Sequence, residues 1–101
     1  MRNMTTALAL TMLSGAAMAS SSHYVGQELA PSAKVTMAAA KAIALRAHPG
    51  KMTDAELEKE GGGSGLRYSF DIKSRGKTFE VGVDAMTGKV LENKKEGKNP
   101  D

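Results

Sequence analysis

The groups able to do acid-base or metal chemistry are unevenly supplied in this chain. Carboxylates are plentiful, at Asp54, Glu56, Glu58, Glu60, Asp71, Asp84 and Glu92 among others, whereas imidazole is confined to His23 and His48 and thiol is absent. Two histidines 25 positions apart lack compact zinc-ligand spacing, and a thiolate site is excluded outright. Glu56, Glu58 and Glu60 alternate, so on a strand they would share one face; this could attract calcium, but mutual repulsion and solvation favour an ordinary charged surface. Ser64 lies within Gly63-Ser64-Gly65 rather than in a strained strand-to-helix elbow with a general base, and the glycine run lacks the Lys-Ser or Lys-Thr of a phosphate-binding loop. These residues predict no enzyme, no cofactor and no metal site. The cations Arg67, Lys73, Arg75 and Lys77 are a different case. They form a basic strip around an expected hairpin, with Lys94, Lys95 and Lys98 close in sequence, and are the candidate partner-binding residues.

The elements that must position these groups belong to a small chain. It has 101 residues, 41% hydrophobic and 25% charged, with 11 glycines, 3 prolines and no cysteine, so one thin-cored domain held by packing and backbone hydrogen bonds is the ceiling. Residues 1–19 read as a signal peptide: Arg2 precedes a mostly apolar run from 5 to 18, and Ala17 and Ala19 have small-x-small spacing, which predicts cleavage between Ala19 and Ser20. That run is too short and too interrupted to cross a bilayer comfortably, so no stable span is expected after cleavage. The mature chain would keep 13 basic and 11 acidic side chains, a net charge of +2. Such a charge does not support nucleic-acid binding, and none is expected. Residues 20–34 show no sustained period and read as a flexible lead-in; residues 93–101 read as a basic tail with little to bury.

Between these ends the periodicity is clear. Met37, Ala40, Ile43, Ala44 and Ala47 recur at helical spacing, predicting an amphipathic helix over residues 37–47. Thr36 is the expected N-cap, with Ser32 as competitor, and Val35 is placed to staple onto Ala40. Pro49 and Gly50 stop the helix at His48. Residues 53–60 are in conflict: Thr53 and Glu56 resemble a capping box on a helix-prone segment, yet Ala55 and Leu57 also share one strand face. Leu66, Tyr68, Phe70 and Ile72 alternate with polar residues, as do Phe79, Val81 and Val83 after the turn at residues 74–77, predicting an antiparallel hairpin with Tyr68, Phe70 and Phe79 toward the helix. Asp84 and Gly88 build a second turn, the carboxylate accepting backbone amides and the glycine taking positive φ. Residues 89–92 return as a short strand with Val90 inward and Leu91 at an edge or on the opposite surface.

From residue 35 to 92 the chain resembles a PepSY domain, a small extracytoplasmic module related to peptidase propeptides. The resemblance rests on the alanine-rich helix, Pro49-Gly50 at its exit, the 66–72 strand and, most specifically, the segment Phe79-Glu80-Val81-Gly82-Val83-Asp84-Ala85-Met86-Thr87-Gly88-Lys89-Val90. His48, where an apolar residue is common, and the long glycine connection depart from the family pattern. The resemblance implies a strand over residues 52–60 and hence an α+β fold, one N-terminal helix packed on a three- to four-stranded antiparallel sheet. Thr36, Pro49, Gly50, Tyr68, Phe70, Phe79, Asp84 and Gly88 then have structural roles. The expected function is noncatalytic protein or peptide recognition in the periplasm or after secretion, with an envelope protein or a peptidase as partner and peptidase modulation as the more specific form. A structural or envelope-stress accessory and a small-ion or ligand binder are the alternatives.

Overall fold

The computed structural model describes residues 23–97. The expected leader, its cleavage site and the last four residues of the basic tail lie outside them. Within the described residues an α-helix precedes four strands: α1 (Met37–Ala47), β1 (Lys51–Lys59), β2 (Leu66–Ser74), β3 (Lys77–Asp84) and β4 (Val90–Lys95). The strands form one antiparallel sheet in sequence order, and α1 packs on one of its faces.

Thr36, not Ser32, caps α1. Its backbone is extended and its Oγ1 accepts the Ala39 amide at 3.1 Å, satisfying one of the donors left free in the first helical turn. Ala40 and Ala44, one turn apart, are fully buried, and Met37 and Ile43 are half-buried beside them. Their methyl groups let the helix lie close on the larger sheet residues. Ala47, expected on the same face, is exposed. His48 ends α1 in an extended conformation, its N–H bonded to the Ala44 carbonyl, as the following Pro49 ring requires. Gly50 then runs against β2, where a Cβ would come 2.5 Å from the Lys73 carbonyl oxygen.

The core is built in cross-strand rows. Leu57 pairs with Tyr68 and Tyr68 with Val83; Ala55 with Phe70 and Phe70 with Val81; Met52 with Ile72 and Ile72 with Phe79. Tyr68 and Phe70 stack at 6.3 Å on the helix side of the sheet, as their alternation predicts. The Tyr68 hydroxyl donates to the Val35 carbonyl at 2.6 Å and so ties the sheet to the residue just before the helix cap. Burial, and then the nearby Tyr24, push its phenol above the usual value.

Residues 51–59 are a strand despite their helical local signal, because pairing along nearly the whole of β2 gives Leu57 a buried place that an isolated amphipathic turn would not. A bulge between Met52 and Asp54 keeps Met52 on the helix side while turning Asp54, Glu56 and Glu58 to the other.

Three expectations are corrected. The lead-in contains a 3-10 helix (Gln27–Ser32) that precedes α1, and Val25 forms a parallel bridge to Glu56, its carbonyl accepting the Leu57 amide at 2.9 Å. The isolated apolar residues of this segment, without a period of their own, are recruited by the sheet: Tyr24, Leu29 and Ala30 all pack against the core. The last strand extends to Lys95, so the basic tail supplies Asn93, Lys94 and Lys95 to β4, whose backbone bonds to β3 replace the apolar burial these residues lack. Val90 pairs with Val83 on the helix side but remains 36% exposed.

Candidate functional site

The turn after β3 is the junction of the fold. Asp84 is buried at 1% exposure. Its Oδ1 accepts Met86 N at 2.8 Å, Thr87 N at 3.1 Å and Ser64 Oγ at 2.9 Å, and its Oδ2 accepts Ser64 N at 2.7 Å. Burial pushes the carboxyl upward, but the hydrogen bonds from Ser64, Met86 and Thr87 outweigh it and hold the pKa down at about 2. Gly88, at φ 82, returns its amide to the Asp84 carbonyl and closes the turn. Next to it, Ala85 donates to the Leu66 carbonyl and accepts the amides of Lys34 and Val35. One dipeptide thus joins β2, the glycine loop, the β3–β4 turn and the approach to α1. This is architectural chemistry: every lone pair that the Asp84 carboxylate uses is aimed at its own chain.

The sheet face away from α1 is polar. Glu56, Glu58, Ser69, Asp71, Glu80, Gly82 and Glu92 share it through the strand register. Asp54, Asp71 and Glu80 stand in one direct cross-strand row, a repulsive arrangement. The Glu80 carboxyl is raised by burial and then by Glu92, Asp71 and Glu96; Glu96 is raised by burial and then by Asp71; Glu60 is raised by its hydrogen bond with Glu58. Among the described residues, no group of three or more His, Asp or Glu side chains is placed to hold a metal ion.

Arg67 belongs to this face and is withdrawn from the expected basic strip. It is only 7% exposed, lies across Gly82, and its guanidinium bonds Glu92 Oε1 and the Gly61 carbonyl oxygen, each at 3.1 Å. The remaining cations are also divided. Lys73, in phase with Arg67 and Asp71, lies on the open face, whereas Lys77 pairs with Ser74 and is in phase with Phe79 on the helix side; Arg75 sits at the hairpin tip. Arg75 and Lys77 line a cleft of about 500 Å³ with His48, Pro49, Ser74 and Phe79. A second groove, of about 430 Å³, runs between Tyr24, Met37, Lys41 and the bulged start of β1.

Sequence reasoning missed three participants. Ser64, in the glycine run, is a partner of Asp84; His48, at the helix exit, stacks on Phe79; Asn93, the first residue of the expected tail, bonds both His48 and the Ala47 carbonyl. No local signal marks any of them, since each partner is more than 19 positions away.

The two edges of the sheet differ. β1 carries the Val25 bridge on its outer side, whereas among the described residues β4 has no neighbouring strand there. Among the described residues no helix is long and apolar enough to cross a membrane. Comparison with curated proteins and with solved structures returns no match. The family comparison does: residues 34–94 match the model described as "PepSY: Peptidase propeptide and YPEB domain", whose members are generally noncatalytic, propeptide- or inhibitor-like and typically extracytoplasmic. The match begins just before the helix cap, ends in β4 and contains the whole Asp84 junction, and with more than half of the chain covered, this protein belongs to the PepSY family.

Proposed function

We propose that this protein is a noncatalytic extracytoplasmic module that binds a polypeptide and thereby modulates a peptidase, adding a strand of its partner to the outer edge of β4. The observation that carries this reading is the outer edge of β4, which no strand covers among the described residues. Glu96 N donates to the Thr78 carbonyl at 2.9 Å, so antiparallel alternation turns the amides of Asn93 and Lys95 away from β3. A partner strand would take up these groups, with main-chain bonds supplying affinity and side chains supplying selectivity. Lys94 and Lys95 on this edge discourage pairing between copies of the chain while favouring an acidic partner. The leader-like residues 1–19 and the family's usual location support export, with cleavage after Ala19.

The test is affinity capture from an envelope fraction followed by purified reconstitution. A peptidase should be captured, and stoichiometric addition of the module should change its hydrolysis rate. Lys95→Pro, which removes one outward amide not needed by the sheet, should weaken the complex while preserving the melting transition. Absence of a captured peptidase, or a rate insensitive to the module, sinks the proposal.

A further inference from the structure

Where α1 ends, the sheet is left uncovered, and the cleft lined by His48, Pro49, Ser74, Arg75, Lys77 and Phe79 opens there. Its aromatic pair is His48 and Phe79, with ring centroids 3.9 Å apart and planes tilted by 31°. Asn93 orients the imidazole. Its Nδ2 donates to the Ala47 carbonyl at 3.3 Å, so its Oδ1 is the acceptor lying 3.1 Å from His48 Nδ1, and Nδ1 carries the hydrogen. In the neutral imidazole the other ring nitrogen, Nε2, is then the acceptor, and it has no partner among the described residues.

The cations are equally uncommitted. Among the described residues neither Arg75 nor Lys77 has an ion-pair partner, although the protein is rich in carboxylates. Arg75 also occupies an unfavourable backbone position. It has φ 54 and is followed by Gly76 at φ 77, the pattern of a type I′ hairpin turn, whose first central position suits Asn, Asp or Gly. Turn chemistry does not select arginine there. An apolar-walled cleft with two unpaired cations at its rim supplies a use for it.

We infer that this cleft captures an apolar side chain of the partner polypeptide whose neighbouring residues are acidic. The apolar group packs against Phe79 and His48, its flanking carboxylates meet Arg75 and Lys77, and Nε2 of His48 accepts a peptide N–H. The inference rests on the polypeptide-binding reading above and specifies its partner. Lys95, at the end of β4, pairs with Phe79, and Asn93 bonds His48, so a strand added along β4 is carried to the cleft.

Fluorescence anisotropy with the full chain tests this. The probe is a fluorescein-labelled peptide, Gly-Glu-Asp-Phe-Leu-Asp-Glu-Gly; one control replaces Phe-Leu by Ser-Ser, a second replaces every acid by Lys. The acidic apolar peptide should bind at least roughly tenfold more tightly than either control. Arg75→Asn combined with Lys77→Gln should weaken it by a similar factor while leaving the melting temperature unchanged or higher, since Asn-Gly is the preferred pair for this turn. Equal binding of the three peptides, or undiminished binding by the double variant, overturns the inference. So does binding of phosphatidylglycerol vesicles without binding of the peptide. A captured peptidase still modulated normally by the double variant overturns the cleft and leaves the module's function standing, whereas specific peptide binding without any peptidase supports the cleft and removes the peptidase reading.

Discussion

Asp84→Asn isolates the junction with the smallest possible change of shape. In the wild type, Oδ1 accepts three hydrogen bonds and Oδ2 accepts the Ser64 amide at 2.7 Å. An asparagine that keeps its oxygen at the Oδ1 position must place its NH2 group against Ser64 N–H, donor facing donor. One charge-assisted bond worth about 1.5–3 kcal/mol is lost, and the other three fall to neutral strength, for a total of about 3–4 kcal/mol at pH 7. For a domain of this size, with a urea m-value of about 1 kcal/mol/M, the midpoint should fall by about 3 M. The pH dependence gives a second readout. The folded carboxyl is held at about 2 against an ordinary 3.8, so in that window the unfolded chain binds the proton more readily and stability rises with pH. The contribution is complete above about pH 4 and is lost as pH falls through 2. The wild-type and variant unfolding curves should therefore approach one another between pH 4 and 2. A deficit under about 1 kcal/mol at pH 7, or a gap unchanged across that interval, would refute the assignment of Asp84 as the fold's junction.

Further outcomes follow from burial and charge. Ala44→Leu forces extra methylenes between α1 and the sheet and should cost about 1–3 kcal/mol, a drop in melting temperature on the order of 10 °C, whereas Ala42→Leu on the exposed side should leave the transition in place. Arg67→Ala leaves the Gly61 carbonyl without its donor and Glu92 without its buried partner; it should cost about 3 kcal/mol in urea unfolding and speed amide exchange across residues 61–65, while Arg67→Met should recover part of the loss. Glu80→Gln should have the opposite sign. Because the folded Glu80 carboxyl is raised, its penalty is absent below the ordinary value of 4.5 and complete above the folded pKa, so the variant should gain roughly a few tenths of a kcal/mol at pH 7 and nothing at pH 4. A stabilisation that persists at pH 4 would show that the repulsive row is not its cause.

Much of this molecule follows from short-range rules in its own chain. The alternation at Leu66, Tyr68, Phe70 and Ile72, and at Phe79, Val81 and Val83, determined which side of the hairpin is buried, because a strand turns successive side chains to opposite faces whatever its neighbours are. Thr36 and Pro49 bounded the helix, and Asp84 with Gly88 shaped the last turn, through bonds and steric limits that reach only a few residues. Tertiary structure decided the rest. Residues 51–59 carry a real helical signal, and only pairing with β2 and the burial of Leu57 override it. Arg67 has the spacing of a surface cation, yet Glu92, 25 positions on, and the folded-back glycine loop take it out of solvent. The expected basic strip was divided by strand phase at the hairpin, which sent Lys73 to one face and Lys77 to the other. His48, Phe79 and Asn93 meet only because α1 ends above the far end of the sheet, and contact across that distance in sequence is set by how the helix lies on the sheet, not by any property of the residues beside it.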